Sequence, residues 1–135
     1  MTPQIDKRSF DAPDEIRDAG TGKGEVVHVG DVSLMRITLP VGWKWSRHVK
    51  PLTRTPSCQA QHLQYVVSGR VRVAMDDGVE MEYGPGDVAL IPPGHDAWVI
   101  GATPFVAIDV AATDEWAGGT HPNHDGTRSY MLRAR

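Results

Sequence analysis

The chain has 135 residues, 14 basic against 17 acidic, a formal net charge of −3 and 40% hydrophobic residues. That length suits one domain burying roughly two-thirds of its unfolded surface. The near balance of charge, with no basic block to track phosphates, argues against nucleic acid as a partner. The uncharged apolar run Ala97 to Ile108 falls short of the roughly 18 apolar residues a spanning helix needs, and the N-terminus lacks the basic-then-apolar layout of a secretory signal. One cysteine excludes an intrachain disulfide and fits a reducing compartment, so a cytoplasmic protein with no membrane partner is the expectation.

Residues 1–24 are polar, carry Pro3, Pro13, Gly20, Gly22 and Gly24, and keep no sustained period; they read as an N-terminal arm with a helical turn near Asp14 to Asp18. From Glu25 the pattern becomes strand after short strand, separated by turn residues. Glu25 to Val29 and Ser33 to Leu39 flank Gly30-Asp31, a tight hairpin signal. Pro40-Val41-Gly42 breaks the run, Trp43 to Val49 resumes it, and Lys50 to Ser57 is a polar loop. Gln61 to Val67 turns at Ser68-Gly69 into Val71 to Met75, and Asp76-Asp77-Gly78 reads as a type I′-like hairpin turn before Val79 to Tyr83. After Gly84-Pro85-Gly86 come Val88 to Ile91, then Trp98 to Ile100, then Phe105 to Val110. Turn signals about every 8 to 12 residues, without strand–helix alternation, indicate an all-β sandwich or barrel. The domain is placed at 25–112, and 113–135 is a tail with a short strand at Arg128 to Leu132. His121 and His124 in that tail read as surface residues, and His28 as a strand-surface residue.

The segment Gly86 to Trp98 combines a turn glycine, a short apolar strand, a rigid Pro92-Pro93-Gly94 corner and His95. It resembles the second motif of the cupin superfamily, which runs Gly, five residues, Pro-x-Gly, two residues, His. Gly86, Pro92 and Gly94 match, while His95 stands two positions early, where the motif's histidine slot holds Ala97; strand parity puts both on one side. The first cupin motif runs Gly, five residues, His-x-His, three or four residues, Glu, six residues, Gly. Gly42 is followed after five residues by His48, Lys50 takes the second histidine's place, and His62, with six residues between it and Gly69, takes the glutamate's slot.

The resemblance, over residues 32–110, implies a single antiparallel β-barrel of the cupin, double-stranded β-helix (jelly-roll) type whose lumen holds one small ligand. It also implies a divalent metal, with Zn, Fe, Ni or Mn as candidates, on His48, His62 and His95. Imidazoles from separate strands spaced about 4.8 Å apart can converge on one ion. Each has a plainer reading: His48 as a rim residue, His62 as a buried imidazole satisfied by partners, His95 as a hydrogen-bonding cap on the Pro-Gly corner. Cys58 and His62 lie about 13 Å apart along a straight strand, so they share a metal only if the loop folds back. Otherwise Cys58 is a small buried hydrophobe. Gln64, and Ala60 with it, share the lumen face with His62, so Gln64 is a substrate contact or packing; Lys50 is an anion-orienting group or a solvated lysine. Asp96 and Trp98 fall on the opposite side from His95.

The resulting expectation is a metal-dependent cupin that binds a small metabolite in the lumen and transforms it by oxygenase, isomerase or cyclase chemistry. The alternative is a non-catalytic binding or sensing module. A homodimer is expected, from the resemblance and from the apolar run Phe105 to Val110 at a sheet edge.

Overall fold

Period-two alternation of apolar and polar side chains is realised as nine antiparallel strands and two short helices among residues 4–110, the part of the chain that this computed structural model describes. The strands are β1 (Glu15–Ala19), β2 (Gly22–Val29), β3 (Val32–Leu39), β4 (His62–Ser68), β5 (Arg70–Met75), β6 (Glu80–Tyr83), β7 (Val88–Ile91), β8 (His95–Ile100) and β9 (Phe105–Asp109). Helices α1 (Trp45–His48) and α2 (Lys50–Thr53) join β3 to β4. One sheet has the order β1-β2-β3-β9-β4-β7 and the other β6-β5-β8. The expected all-β architecture is therefore present as two facing sheets of jelly-roll type, not as one continuous closed cylinder.

Alternation decides what each strand buries. On β4, His62, Gln64 and Val66 point inward while Tyr65 and Val67 are exposed; on β7, Ala89 and Ile91 point inward while Val88 and Leu90 are exposed. The core between the sheets includes Met35, Ile37 and Leu39 of β3, Val71 and Val73 of β5, and Phe105 and Ala107 of β9. Trp43 is buried among them, and its indole Nε1 donates to the Ala19 carbonyl at 3.0 Å, tying the β3 exit to β1.

Several expectations are corrected. The stretch around residues 14–18 is not a helical turn: Glu15–Ala19 pairs with Gly22–Val26 in a hairpin, so part of the supposed arm is the first edge strand. Residues 45–53 are helical instead of a strand and a loop. Trp45 and Val49, four apart, lie on the buried side of that turn, and Val49 N–H donates to Trp45 O at 2.8 Å, so a period of 3.6 outweighs β-propensity here. The turn at residues 76–78 is a three-residue loop, not type I′, because Gly78 alone has positive φ (96°) and both aspartates do not. Strand β9 is internal, hydrogen-bonded to β3 on one side and β4 on the other, so Phe105 to Val110 offers no free edge. The expected strand at Arg128 to Leu132, the tail and its histidines lie outside the described residues. Among the described residues no helix is long and apolar enough to cross a membrane.

Candidate metal centre

Between the sheets lies a small cavity of about 30 Å³. Among the described residues its wall is apolar apart from four side chains, Cys58, His62, Gln64 and His95. His62 opens β4 and pairs with Ile91 of β7; Gln64, two residues on, lies opposite Asp109, the last residue of β9. That register brings the Asp109 carboxylate behind the His62 ring. His95 opens β8 just after the Pro92-Pro93-Gly94 corner, opposite Met75. Cys58 precedes β4 and folds back across β8: its N–H donates to His95 O at 2.7 Å and its carbonyl accepts Gly94 N–H at 2.7 Å. Next door, Ser57 Oγ donates to Asp76 Oδ2 at 2.9 Å, pinning this loop to the hairpin after β5.

The chain reversal achieves what a straight strand forbids. Cys58 Sγ lies 3.9 Å from His62 Nε2, the two imidazole centroids are 5.4 Å apart at 64°, and the three donor atoms all fall within 4.8 Å of one another. All three residues are buried. Each ring is also oriented from behind. His62 Nδ1 is hydrogen-bonded to Asp109 Oδ2, and His95 Nδ1 lies 2.7 Å from the Pro92 carbonyl. Oxygens that only accept require Nδ1–H as donor, which makes Nε2 the ring nitrogen able to ligate once it carries no proton. A carboxylate or carbonyl behind a ligating imidazole is the usual outer support of a metal site.

Electrostatics of the metal-free group agree. Burial by itself would push His62 down, but the charge and hydrogen bond of Asp109 override it and raise the imidazolium pKa to about 10. Burial by itself would push the Cys58 thiol up, yet hydrogen bonds from His62 and His95 bring it down to about 6. Near neutral pH the metal-free group is thus a thiolate facing an imidazolium, the arrangement a divalent ion takes over when it displaces the shared proton. Two imidazoles and one thiolate fit a transition metal with an open fourth position.

The histidines expected to meet do so only in part. His62 and His95 are in the donor group. His48 is not: it sits on α1, half-buried, with Nδ1 3.1 Å from both the amide N and the carbonyl O of Lys44. Lys50 is exposed at the start of α2, while Gln64 lines the cavity. Ala97, in the motif's histidine slot, lines it too, so the two-residue offset of His95 keeps the same face. Asp96 accepts the Ser46 N–H at 3.0 Å, and Lys44 Nζ lies 4.9 Å above the Trp98 ring, both off the cavity.

Two residues were underrated by sequence reasoning. Counting back from Gly69 leaves six residues between it and His62 and three between His62 and Cys58, which puts Cys58 in the slot of the motif's second histidine; anchoring on Gly42 and His48 hides this. Asp109 shares the parity of Phe105 and Ala107, and a carboxylate on the buried face of an apolar strand is itself a signal.

The EutQ-like cupin domain is the family whose model matches, over residues 54–111. No curated protein matches the chain. Among solved structures, a protein of unknown function (DUF1255) from Acidithiobacillus ferrooxidans is 18% identical at a TM-score of 0.54, with 80% of this chain and 96% of that one covered. An RmlC-like cupin from Shewanella frigidimarina is 22% identical at 0.50, covering 78% and 91%. KdgF from Halomonas sp. is 17% identical at 0.50, covering 80% and 91%. Likeness at these identities speaks for the fold.

Proposed function

We propose that this chain is a small cupin that holds one divalent transition metal on Cys58, His62 and His95 and binds a small molecule beside it in the lumen. The observation that carries the reading is the pair of imidazoles whose Nδ1 atoms are engaged from behind while both Nε2 atoms face one buried thiol. The soft thiolate favours zinc over manganese, with iron and nickel between. When bound, such an ion supplies a Lewis acid with an open position for a ligand donor atom. The chain's own groups do the rest: Asp109 orients His62, Pro92 O orients His95, and the apolar wall excludes water. This ligand set replaces the expected His48 with Cys58.

Metal analysis of protein purified without an affinity tag tests the reading. One equivalent of metal, or uptake of one equivalent of cobalt(II) with a thiolate charge-transfer band, is expected; no metal before or after soaking overturns it. His48→Ala is expected to leave uptake unchanged. Asp109→Asn keeps the side chain's size but removes the charge behind His62, and is expected to weaken zinc about 10–100-fold by chelator competition. Unchanged affinity would show that the carboxylate does not tune this ligand.

A second reading, binding without turnover, is favoured by the cavity wall, where, among the described residues, Gln64 is the one polar side chain beyond the three proposed ligands. With no further group there to give or take a proton, a sensing or carrier role fits as well as catalysis. Product formation from a bound metabolite would exclude it.

A further inference from the structure

We infer that two copies of this chain associate through the free edge of β7, each pairing antiparallel with β7 of the other, so that the two larger sheets become continuous. The inference is independent of the metal centre. The sheet β1-β2-β3-β9-β4-β7 ends at β7, which is bonded to β4 on one side and, among the described residues, to no strand on the other. Val66 N–H donates to Asp87 O at 3.0 Å, so the Asp87 carbonyl faces β4. Strand alternation then turns the N–H and C=O groups of Val88 and Leu90 away from β4, toward the open side. The edge that β9 lacks is present here.

Side chains favour the same contact. Val88 and Leu90 are 67% and 59% exposed, and beside them on β4 lie the half-exposed Tyr65, opposite Val88, and Val67. Together they form about 400 Å² of contiguous apolar surface, the size that marks an interaction site. Sheet edges are normally blunted by charged residues, and Val88–Ile91 carries none. The N-terminal arm is committed to the other end of this face: Arg36 pairs with Glu25 and lies over Phe10, and Asp6 accepts Gly30 N–H at 3.0 Å.

A second copy matches the edge by symmetry. Pairing centred on Ala89 sets Val88 opposite Leu90 of the partner subunit, which keeps the outward apolar side chains of both copies on one face. Ala89, the inward residue at the axis, is small enough to meet its own symmetry mate. The net charge of −3 does not oppose contact, because the four apolar side chains carry no charge and Asp87, at their margin, is hydrogen-bonded to Gly84 N–H. Two such surfaces with the paired backbones between them approach about 1,000 Å², the lower limit of a specific interface, so the dimer is reversible.

Sedimentation equilibrium of the full chain over roughly 1–300 µM tests this, with a monomer–dimer equilibrium of micromolar Kd expected. Leu90→Lys, and equally Val88→Lys, puts charge beside the axis and is expected to weaken the dimer about tenfold or more. Circular dichroism is expected to stay unchanged, since both native side chains are mostly exposed. Met81→Lys is the control: Met81 is 56% exposed on β6, an edge of the smaller sheet, and its substitution is expected to leave Kd unaltered. A full chain that stays monomeric throughout overturns the inference, and a lowered melting temperature of Leu90→Lys would then assign the face to residues 111–135. A dimer that both lysine variants leave intact, or that Met81→Lys disrupts as strongly, overturns it too.

Discussion

Replacing Cys58 with alanine is expected to lower zinc affinity by more than ~100-fold, beyond the 10–100-fold typical of losing an outer-shell partner. The thiolate is the softest donor of the three and the sole anionic one, so its removal leaves two neutral imidazoles and an unbalanced ion. The fold is expected to survive, because the loop is held through the backbone N–H and carbonyl of Cys58, which alanine retains, and by Ser57 on Asp76. Competition against a chromophoric chelator, with circular dichroism as the control, measures it. A well-folded Cys58→Ala protein within tenfold of the wild type would remove the cysteine from the ligand set.

Replacing Gly69 with alanine is expected to cost about 2–6 kcal/mol of stability. Gly69 has φ of 77°, and an added Cβ would lie 2.2 Å from the Pro104 carbonyl oxygen and 2.7 Å from Phe105 Cα. A side chain forced into that region costs ~1–3 kcal/mol, and overpacking a tight contact costs a further ~1–3 kcal/mol. Nothing nearby can yield, since the obstacles are backbone of Pro104 and of Phe105 at the start of β9, beside the point where β4 shifts register between Val66 and Ser68. Gly78 provides the internal comparison: its φ is 96°, yet no atom lies within 4 Å of an added Cβ. Gly78→Ala should therefore carry only the conformational cost, ~1–3 kcal/mol. Denaturant midpoints of both variants check this, and equal losses would refute the role assigned to the β4–β9 contact.

Much of the architecture is legible in the residues themselves. Apolar runs from Gln61 to Val67 and from Val88 to Ile91, broken by Gly and Pro, specify short strands, and β4 and β7 form there; the buried strand read at Val88 to Ile91 is half exposed instead, with Val88 and Leu90 facing out. Where local signals compete, reading fails. Trp43 to Val49 is rich in residues that suit strands, but burying Trp45 and Val49 together needs one turn of helix. Residues 15–19 carry no strong pattern because β1 is an edge strand whose outer positions face water.

By itself the sequence determined that the chain forms short antiparallel strands, that His62 and Gln64 share the lumen face, and that a Pro-Gly corner presents His95. Those are local facts, set by backbone period and turn chemistry. Only the tertiary structure decided that Cys58, not His48, meets those two imidazoles, and that Asp109 stands behind one of them. Convergence of donors depends on where a loop reverses and how distant strands register. Hydrogen bonds between segments tens of residues apart set both, as between Cys58 and His95 or between β4 and β9.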